Sequence, residues 1–327
     1  MSDEARDIIA VTDLSKRFGD NTAVGGVSFT IEQGEVFGLL GPNGAGKTTC
    51  ISMISCLIAP SGGEVVVDGH RVTREPEKVK RTLGVVPQEI ALYPTLTALE
   101  NLRFWGRMYG LNGRLLEDRV VEALLLAGLE DRAKERVETY SGGMKRRINI
   151  AAGILHHPKV LIMDEPTVGI DPQSRNHILE TVKQLNAGGT TVLYTSHYME
   201  EVEFLCDRVA IMDHGEVIAL GTIGELKRLV GDESVITVRL SELPEGVLEQ
   251  LRALPGVDGA TAARPAADES SAEEQRVVEV LSRDTGAVIV DVVTVLGRSG
   301  GKVLAVEVHE PDLESVFLHL TGKSLRD

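Results

Sequence analysis

A run of apolar residues, EVFGLL (residues 35–40), is followed at once by a glycine-rich segment, GPNGAGKT (residues 41–48). The segment fits the pattern G-x-x-x-x-G-K-S/T, in which glycines let consecutive backbone N–H groups point into one anion-sized cavity. Lys47 can place its charge on the β- and γ-phosphates, and the Thr48 hydroxyl can ligate Mg²⁺. A purely structural glycine turn is the alternative, but the strand–loop–helix context predicts a nucleoside-triphosphate site. The residues expected around the phosphates are Gly41, Pro42, Asn43, Gly44, Ala45, Gly46, Lys47, Thr48 and Thr49.

A second strand-like run ends in two adjacent carboxylates. In KVLIMDEP (residues 159–166) the apolar residues lead into Asp164 and Glu165. A protein with this phosphate loop needs an acidic residue at the end of a neighbouring strand to hold Mg²⁺, and we expect Asp164 to fill that role. Glu165 is then placed to polarise, as a general base, the water that attacks the γ-phosphate. The alternative is that Glu165 merely caps the strand.

Small residues open a helical pattern upstream of these carboxylates, in YSGGMKRR (residues 140–147). Because free N–H groups at the start of a helix bind anions, Ser141, Gly142 and Gly143 can form a second phosphate-binding surface. Taken alone, Ser-Gly-Gly before a helix is commonly only a cap. The segment gains weight because Ser141 lies 23 residues before Asp164 in a chain that also has the phosphate loop.

The order of these segments, across roughly residues 8–230, resembles that of the nucleotide-binding subunit of an ATP-binding cassette (ABC) transporter. In that family GPNGAGKTT (residues 41–49) is the Walker A motif, YSGGMKRR is the signature motif and LIMDEP (residues 161–166) is the Walker B motif. The resemblance implies a P-loop NTPase fold of the ABC-cassette type, with a small antiparallel β part beside a largely parallel sheet. It also implies ATP and Mg²⁺ as ligands.

The resemblance assigns roles to four further residues. Phe18 takes the position of an aromatic ring that stacks on adenine, and Gln88 is the Q-loop glutamine, which completes the Mg²⁺ shell. Asp171 lies in the D-loop, and His197 is the H-loop histidine, which contacts the γ-phosphate and joins Glu165 as a catalytic residue. Without the resemblance each type has an ordinary alternative: a solvated glutamine, a surface or core histidine, and a core phenylalanine.

Two motifs depart from the family's usual pattern. The signature reads SGGMK where many members have SGGQ, so Met144 offers no side-chain amide to a nucleotide. The D-loop reads TVGID (residues 167–171) instead of a Ser-Gly-Leu-Asp or Ser-Ala-Leu-Asp run. Neither change removes a group that the proposed chemistry needs.

The hydrophobic pattern predicts an α/β class with two domains. Nearly continuous apolar strands that alternate with helices indicate a largely parallel sheet in residues 1–230. Between about residues 94 and 157 the strands stop and three helical patterns predict an inserted helical subdomain. Residues 231–327 predict a small, accessory or regulatory α+β domain, in which residues 259–275, rich in Ala, Ser and Glu, are expected to form a flexible insertion.

Composition limits the partners and the compartment. With 34 basic and 49 acidic residues the formal charge is −15, which argues against a nucleic-acid partner because phosphate contacts need clustered Lys and Arg. No run of about 18 apolar residues is long enough to span a bilayer, and the acidic start MSDEARDII does not resemble an export signal. Cys50, Cys56 and Cys206 form no C-x-x-C pair, so we expect free thiols in a reducing cytoplasm.

The family resemblance implies a working cycle and a partner. Two copies pair head to tail, and each ATP is held between Walker A of one copy and residues 141–143 of the other; hydrolysis loosens the pair. Residues 196–222 and the ending LESVFLHLTGKSLRD (residues 313–327) are similar to the ATP-binding subunits of daunorubicin-resistance-type exporters, which implies export of drug-like or lipid-like compounds. A separate multi-helix membrane permease would hold the chain at the inner face of the cell membrane.

Three other functions remain alternatives at this point. One is a non-transport ABC ATPase that acts on DNA or the ribosome. The second is a catalytically quiet regulatory cassette. The third, within the transporter class, is an import role. The single cassette, the negative charge and the intact Lys47, Asp164, Glu165 and His197 favour the transport ATPase, and the similarity of the ending favours export.

Overall fold

The computed structural model describes residues 6–231, 234–263, 276–309 and 311–321. The described chain divides into two compact units, one of residues 6–226 with 320–321 and one of residues within 227–319. This division lies a few residues before the predicted boundary at residue 230, and the role of the second unit as a separate domain stays a prediction.

The strands of the first unit form two sheets that meet around one core. In chain order they are β1 (Asp7–Phe18), β2 (Asn21–Glu32), β3 (Val36–Leu40), β4 (Gly62–Val67), β5 (His70–Arg71), β6 (Leu83–Val86), β7 (Val160–Asp164), β8 (Thr191–Ser196), β9 (Arg208–Asp213) and β10 (Glu216–Thr222). The helices are α1 (Lys47–Ile54), α2 (Pro76–Thr82), α3 (Ala98–Met108), α4 (Gly113–Ala127), α5 (Gly142–Ile154), α6 (Pro172–Ala187), α7 (Met199–Leu205) and α8 (Ile223–Lys227). Short 3₁₀ turns lie at Glu130–Arg132, Val137–Thr139 and Arg228–Val230.

The larger sheet is parallel except at one edge, in the order β10-β9-β3-β8-β7-β6. Only β10, which pairs with β9, runs antiparallel to its neighbour in this sheet. β3, β7 and β8 are buried along their whole length, as apolar runs covered on both faces should be. Because β3, β8 and β7 are adjacent and parallel, the residues that follow them, Gly41, His197 and Glu165, come together at one edge of the sheet.

The smaller sheet is antiparallel, in the order β2-β1-β4-β5. Its inner face and β3 share a single apolar core with α1. Phe29 of β2 stacks on Phe37 of β3 with ring centroids 5.3 Å apart, and Ile51 and Ile54 of α1 are buried in the same cluster. The antiparallel sheet therefore supports the strand that leads into the phosphate loop.

Helices α3, α4 and α5 lie between β6 and β7, within the predicted range 94–157. They bury a core of their own, in which Leu102, Val120 and Ile148 are fully inaccessible. Thr97 and Glu100 form a reciprocal capping box that fixes the start of α3. The predicted fold class, an α/β cassette with an inserted helical part, is confirmed.

The second unit contains one antiparallel sheet in the order β12-β13-β11-β14. Its elements are β11 (Ser234–Leu240), α9 (Val247–Arg252), β12 (Val257–Ala263), β13 (Arg276–Ser282), α10 (Thr285–Arg298), β14 (Val303–His309) and α11 (Leu313–Thr321). The alternating burial of β11 points its apolar residues towards α9 and α10, whose Leu251 and Val292 are inaccessible. These elements give the α+β composition that the sequence predicts for this region, although β12 was not predicted.

One expectation for the second unit is wrong in part. Residues 259–275 were expected to form a flexible insertion, but residues 259–263 belong to β12, which pairs with β13. Gly and Ala have low β-propensity, so the sequence VDGATAA gives little strand signal; backbone pairing to β13 supplies the order instead. Residues 264–275 lie outside the described residues.

The cysteines are free thiols, as predicted. Cys50 and Cys206 are buried and Cys56 is half-buried. Burial raises the pKa of Cys50 to about 12, and it raises the pKa of Cys206 as well. Over the described ranges, none of the helices combines the length and the apolar character needed to cross a membrane.

Leu39→Ala tests the packing of the strand that carries the phosphate loop. Leu39 is fully inaccessible in β3, so its truncation should lower the free energy of unfolding of the first unit by about 2–5 kcal/mol. Leu57→Ala is the matched control, because Leu57 is 69% exposed and its truncation should change stability by less than about 0.5 kcal/mol. Urea denaturation followed by circular dichroism measures both; equal effects would contradict this account of the core.

Candidate functional site

The phosphate loop connects the buried end of β3 to the start of α1. A Cβ atom on Gly41 would lie 2.3 Å from the carbonyl oxygen of Met212, so no other residue fits there without a shift of the backbone. Gly46 has φ of 104°, and a Cβ atom on it would lie 2.7 Å from the carbonyl oxygen of Ala23. The glycines thus serve two physical needs, tight packing against neighbouring backbone and a left-handed conformation before α1.

Lys47 is buried at the first position of α1 and is held by the loop itself. Its Nζ donates to the carbonyl oxygens of Gly41, at 2.7 Å, and Pro42, at 3.1 Å. The same Nζ lies 3.4 Å from Oε1 of Glu165, which is also buried. The loop therefore holds a cation beside the carboxylate at the end of β7.

One hydroxyl organises the two adjacent carboxylates. Thr195 of β8, fully inaccessible, accepts from the backbone N–H of Glu165 at 2.9 Å and donates to Oδ1 of Asp164 at 2.8 Å. Glu165 has φ of 46°, a left-handed conformation that is rare for a residue with a long side chain. Such strain in a buried acid is typical of functional sites, and it favours the catalytic reading of Glu165 over a simple strand cap.

Three of the predicted side chains, Lys47, Gln88 and His197, lie around the carboxylate of Glu165. Besides Lys47, Nε2 of Gln88 donates to Oε2 of Glu165 at 3.3 Å. Nδ1 of His197 lies 3.6 Å from the same oxygen. A carboxylate, an amide, an imidazole and an ammonium group are thus assembled within one small region, from four segments that are distant in the sequence.

An open cleft of about 520 Å³ lies over this cluster. The predicted residues that line it are Phe18, Pro42, Asn43, Gly44, Gly46, Lys47, Thr48, Thr49, Gln88 and Glu165. Asn21, Thr22, Ala23 and His214 also line it, and sequence reasoning did not single them out. The first three open β2, directly after the turn that follows Phe18, so their proximity to Phe18 in the chain was the available signal.

Phe18 is 51% exposed at the end of β1, with Nζ of Lys16 5.1 Å from its ring centroid. The alternative that Phe18 belongs to the core is therefore wrong. Phe18 lines the cleft together with the glycine loop, and its ring is available to stack on a flat ligand.

Ser141, Gly142, Gly143 and Asp171 do not line the cleft. The Ser141 hydroxyl accepts from the N–H of Met144 at 3.2 Å and so caps α5, while Asp171 accepts from the N–H of Ser174 and caps α6. The hydrogen bonds from Ser174 hold the pKa of Asp171 below its usual range.

The start of α5 is exposed on its outer side and closely packed on its inner side. Ser141 and Gly142 are exposed, and a Cβ atom on Gly143 would lie 2.0 Å from Oγ of Ser174. The start of α5 thus packs closely on the start of α6 and presents its outer residues to solvent.

Met144 stands where many members of the family have a glutamine, and its side chain packs in the protein interior. Its side chain is buried in the core of the helical part, and Nη1 of Arg132 lies 3.7 Å from its sulfur atom. The thioether fills space between helices and does not face the nucleotide cleft. The groups that this helix start presents for the predicted anion site are therefore Ser141 and backbone N–H groups.

Arg146 is the clearest functional residue that sequence reasoning missed. It lies on α5, is buried, and donates to the carbonyl oxygens of Pro87 and Gln88. Burial lowers its pKa. Asn149, one turn further along α5, accepts from the N–H of Ala91 at 3.0 Å. The backbone of the Gln88 segment is therefore held by the helical part, while the Gln88 side chain reaches Glu165.

The residues present fit a Mg²⁺ ion with bound phosphate. In the described part of the chain, no three His, Cys, Asp or Glu side chains cluster as a metal-ligand set. The predicted ligands Thr48, Gln88 and Asp164 instead offer a hydroxyl, an amide and a carboxylate, all hard oxygen donors. Mg²⁺ prefers such donors and is commonly held by one or two carboxylates together with phosphate oxygens.

Comparisons with known proteins agree with this geometry. A model of the family described as ABC transporter matches residues 24–168. The linearmycin resistance ATP-binding protein LnrL of Bacillus subtilis (strain 168) is 51% identical over 322 residues, covering 98% of this chain and 100% of the relative. The daunorubicin resistance ATP-binding protein DrrA3 of Streptomyces coeruleorubidus is 37% identical, covering 97% of each chain.

A solved structure is also similar to the first unit. It is the dimeric, post-hydrolysis state of an ATP-binding cassette bound to ADP and Pi, with 29% identity and a TM-score of 0.60. The match covers 65% of this chain and 98% of the solved chain. The part of this chain beyond such a cassette is thus about one third of its length.

Arg146→Ala should loosen the Gln88 segment. Two part-buried carbonyl oxygens would lose a charged donor, at a cost of about 1–3 kcal/mol, so amide hydrogen exchange in residues 87–93 should become about tenfold faster. Mass spectrometry of peptides from this segment measures the change. Arg114→Ala, at a side chain that is 94% exposed, is the control and should leave the exchange unaltered. Equal exchange in the two variants would show that Arg146 does not hold the segment.

Proposed function

This chain belongs to the ABC transporter family of ATP-binding proteins, and we propose that it is the ATP-hydrolysing subunit that powers a separate membrane permease, exporting drug-like or lipid-like compounds. The observation that carries the proposal is the convergence of Lys47, Gln88 and His197 on the buried, strained Glu165 beside the phosphate loop. A glycine turn with only a structural role requires none of these side chains.

The proposed reaction is hydrolysis of the γ-phosphate. Water attacks the γ-phosphorus, the bond from that phosphorus to the β–γ bridging oxygen breaks, and ADP and phosphate leave. Glu165 takes the proton of the attacking water, and Lys47 neutralises charge on the β- and γ-phosphates. His197, 3.6 Å from Glu165, holds a γ-phosphate oxygen so that the water stays in line.

The proposed metal ligands complete the site. Thr48, Gln88 and Asp164 would hold Mg²⁺, which supplies neutralisation of the negative charge that develops on the phosphate oxygens. Thr195 fixes the Asp164 carboxylate through the hydroxyl bond to Oδ1, so that its other oxygen keeps one orientation. Phe18 stacks on the adenine ring at the far side of the cleft.

Two copies of the chain are proposed to act together. Ser141 and Gly142 are exposed and lie outside the cleft of their own chain, so they are free to approach a nucleotide bound to a second copy. The exposed N-terminus of α5, a helix of 13 residues, favours an anion there. The dimeric solved cassette with ADP and Pi supports pairing of two copies; the head-to-tail arrangement, with Asp171 near the shared surface, is our proposal.

The relatives support export. Two proteins that match almost the whole length of this chain are named for resistance to linearmycin and to daunorubicin. We place the chain on the inner face of the cell membrane, bound to a multi-helix permease, with no nucleic-acid partner. The assembled catalytic cluster argues against a catalytically quiet cassette, and the relatives give no support to a role on DNA or the ribosome.

Glu165→Gln tests the catalytic role. The amide cannot accept a proton, so hydrolysis should slow by at least about a hundredfold, while ATP affinity stays close to the wild-type value. ATP should then accumulate a dimer, visible by size-exclusion chromatography with light scattering. Glu130→Gln, at an exposed position, is the control and should behave as wild type. A Glu165→Gln variant that hydrolyses at the wild-type rate and stays monomeric would show that Glu165 is not the base.

Co-expression tests the transport role. We expect a polytopic membrane protein to be encoded beside this gene, the tagged chain to move into the membrane fraction and co-purify with it, and cells with both proteins to resist linearmycin or daunorubicin. The same cells carrying Glu165→Gln should keep the complex and lose the resistance. If the chain stays out of the membrane fraction with or without that protein, the permease proposal fails even if ATP hydrolysis is normal.

A further inference from the structure

A buried carboxylate that does not line the nucleotide cleft connects two of the segments that build it. Glu201 lies on α7 and is 3% exposed. Its Oε2 accepts three hydroxyl hydrogen bonds, from Thr167 at 2.7 Å, Tyr194 at 2.8 Å and Ser196 at 3.0 Å. Neither the phosphate-loop chemistry nor the comparisons give this residue a role.

The surroundings of Glu201 are consistent with a charged acceptor. Burial, and then the charge of Glu201, raise the pKa of Tyr194, whose hydroxyl keeps its proton and donates. Nε of Arg175, on α6, lies 3.4 Å from Oε1 of Glu201. A carboxylate is expensive to bury, and three hydroxyl donors with a neighbouring guanidinium offset that cost.

The donors come from the segments that carry the proposed catalytic groups. Thr167 lies two residues after Glu165, in the connection between β7 and α6, and is fully inaccessible. Ser196 immediately precedes His197, and its hydroxyl also accepts from the N–H of Tyr198 at 2.9 Å. The residues on both sides of His197 are thus tied, directly or through one hydroxyl, to the same carboxylate oxygen.

A stack of side chains reaches His197 from the same group. The guanidinium carbon of Arg175 lies 4.7 Å from the ring centroid of Tyr198, and the Tyr198 ring lies 4.3 Å from the ring of His197. Arg175 in turn is the cation beside Glu201. His197 is therefore positioned through its backbone neighbours and through its ring, and both routes lead back to Glu201.

We propose that Glu201 is a positioning residue for ATP hydrolysis: it fixes His197 against Glu165 by tying the His197 segment to the Thr167 segment. This inference rests on the proposed function, in which Glu165 and His197 act on ATP. Glu201 does not line the cleft, so its loss should lower the rate of the chemical step and leave nucleotide binding nearly unchanged. A residue with only a structural role would lower stability in every background without depending on His197.

A double-mutant cycle on the full chain tests the inference. Single-turnover hydrolysis resolves slow rates, and ATP affinity and thermal unfolding are measured beside it. Glu201→Ala should slow hydrolysis by about ten- to a hundredfold, because misplacement of a catalytic group by about 1 Å has effects of that order. In the His197→Ala background the same change should slow hydrolysis less than about twofold, since nothing remains to be positioned. ATP affinity should stay within about twofold throughout.

Glu201→Gln and Glu200→Ala complete the set. The amide oxygen of Gln can still accept the hydroxyl hydrogen bonds but carries no charge for Arg175, so we expect a smaller loss than with Ala. If Glu201→Ala does not fold, the cycle is run with Gln. Glu200, the exposed neighbour on α7, is the matched control, and its truncation should leave the rate unchanged.

The outcomes separate this inference from the proposed function. A Glu201 variant with the wild-type rate, or one that loses the same factor with and without His197, would overturn the positioning role. Wild-type protein and Glu165→Gln with the same rate of hydrolysis would instead overturn the proposed function itself.

Discussion

A buried ion pair between Lys47 and Glu165 is the contact on which the rest of the site depends. Either charge alone would be costly to remove from water, and breaking such a pair typically destabilises a protein by several kcal/mol. The two residues are 118 positions apart in the chain, one at the start of α1 and one after β7, and their charged atoms lie 3.4 Å apart. The cost is met because the phosphate loop supplies two carbonyl acceptors to Lys47 and because Gln88 donates to Glu165.

The parallel sheet makes that contact possible. Its central strands β3, β8 and β7 are neighbours, so everything that follows their carboxyl ends is delivered to one edge. The strands themselves are held by apolar packing on both faces, with the antiparallel sheet and α1 on one side. The chemistry is therefore carried by short polar segments attached to a rigid apolar frame, an arrangement in which loop residues vary in role while strand residues maintain position.

Much of this site could be predicted because its residues lie in short, contiguous sequence motifs. Lys47 and Glu165 stand at fixed places in motifs that follow apolar strands, and the strands themselves are nearly continuous apolar runs. Arg146, Thr195 and Glu201 could not be found in the same way. Each is an ordinary residue type whose role comes from partners elsewhere in the chain, as with Arg146 and Gln88, which are 58 positions apart. Strand β12 was missed for a related reason, since its order comes from pairing and its own side chains give little signal.

The attachment of the Gln88 segment has a mechanical consequence. Its backbone is fastened to α5 by Arg146 and Asn149, while its side-chain amide reaches Glu165 in the sheet domain. A tilt of α3, α4 and α5 would move that amide away from the carboxylate. A ligand that changes the position of the carboxylate would favour a tilt of the helices by the same coupling free energy. Binding of a protein to those helices and binding of a ligand at the carboxylate would thus be coupled in both directions.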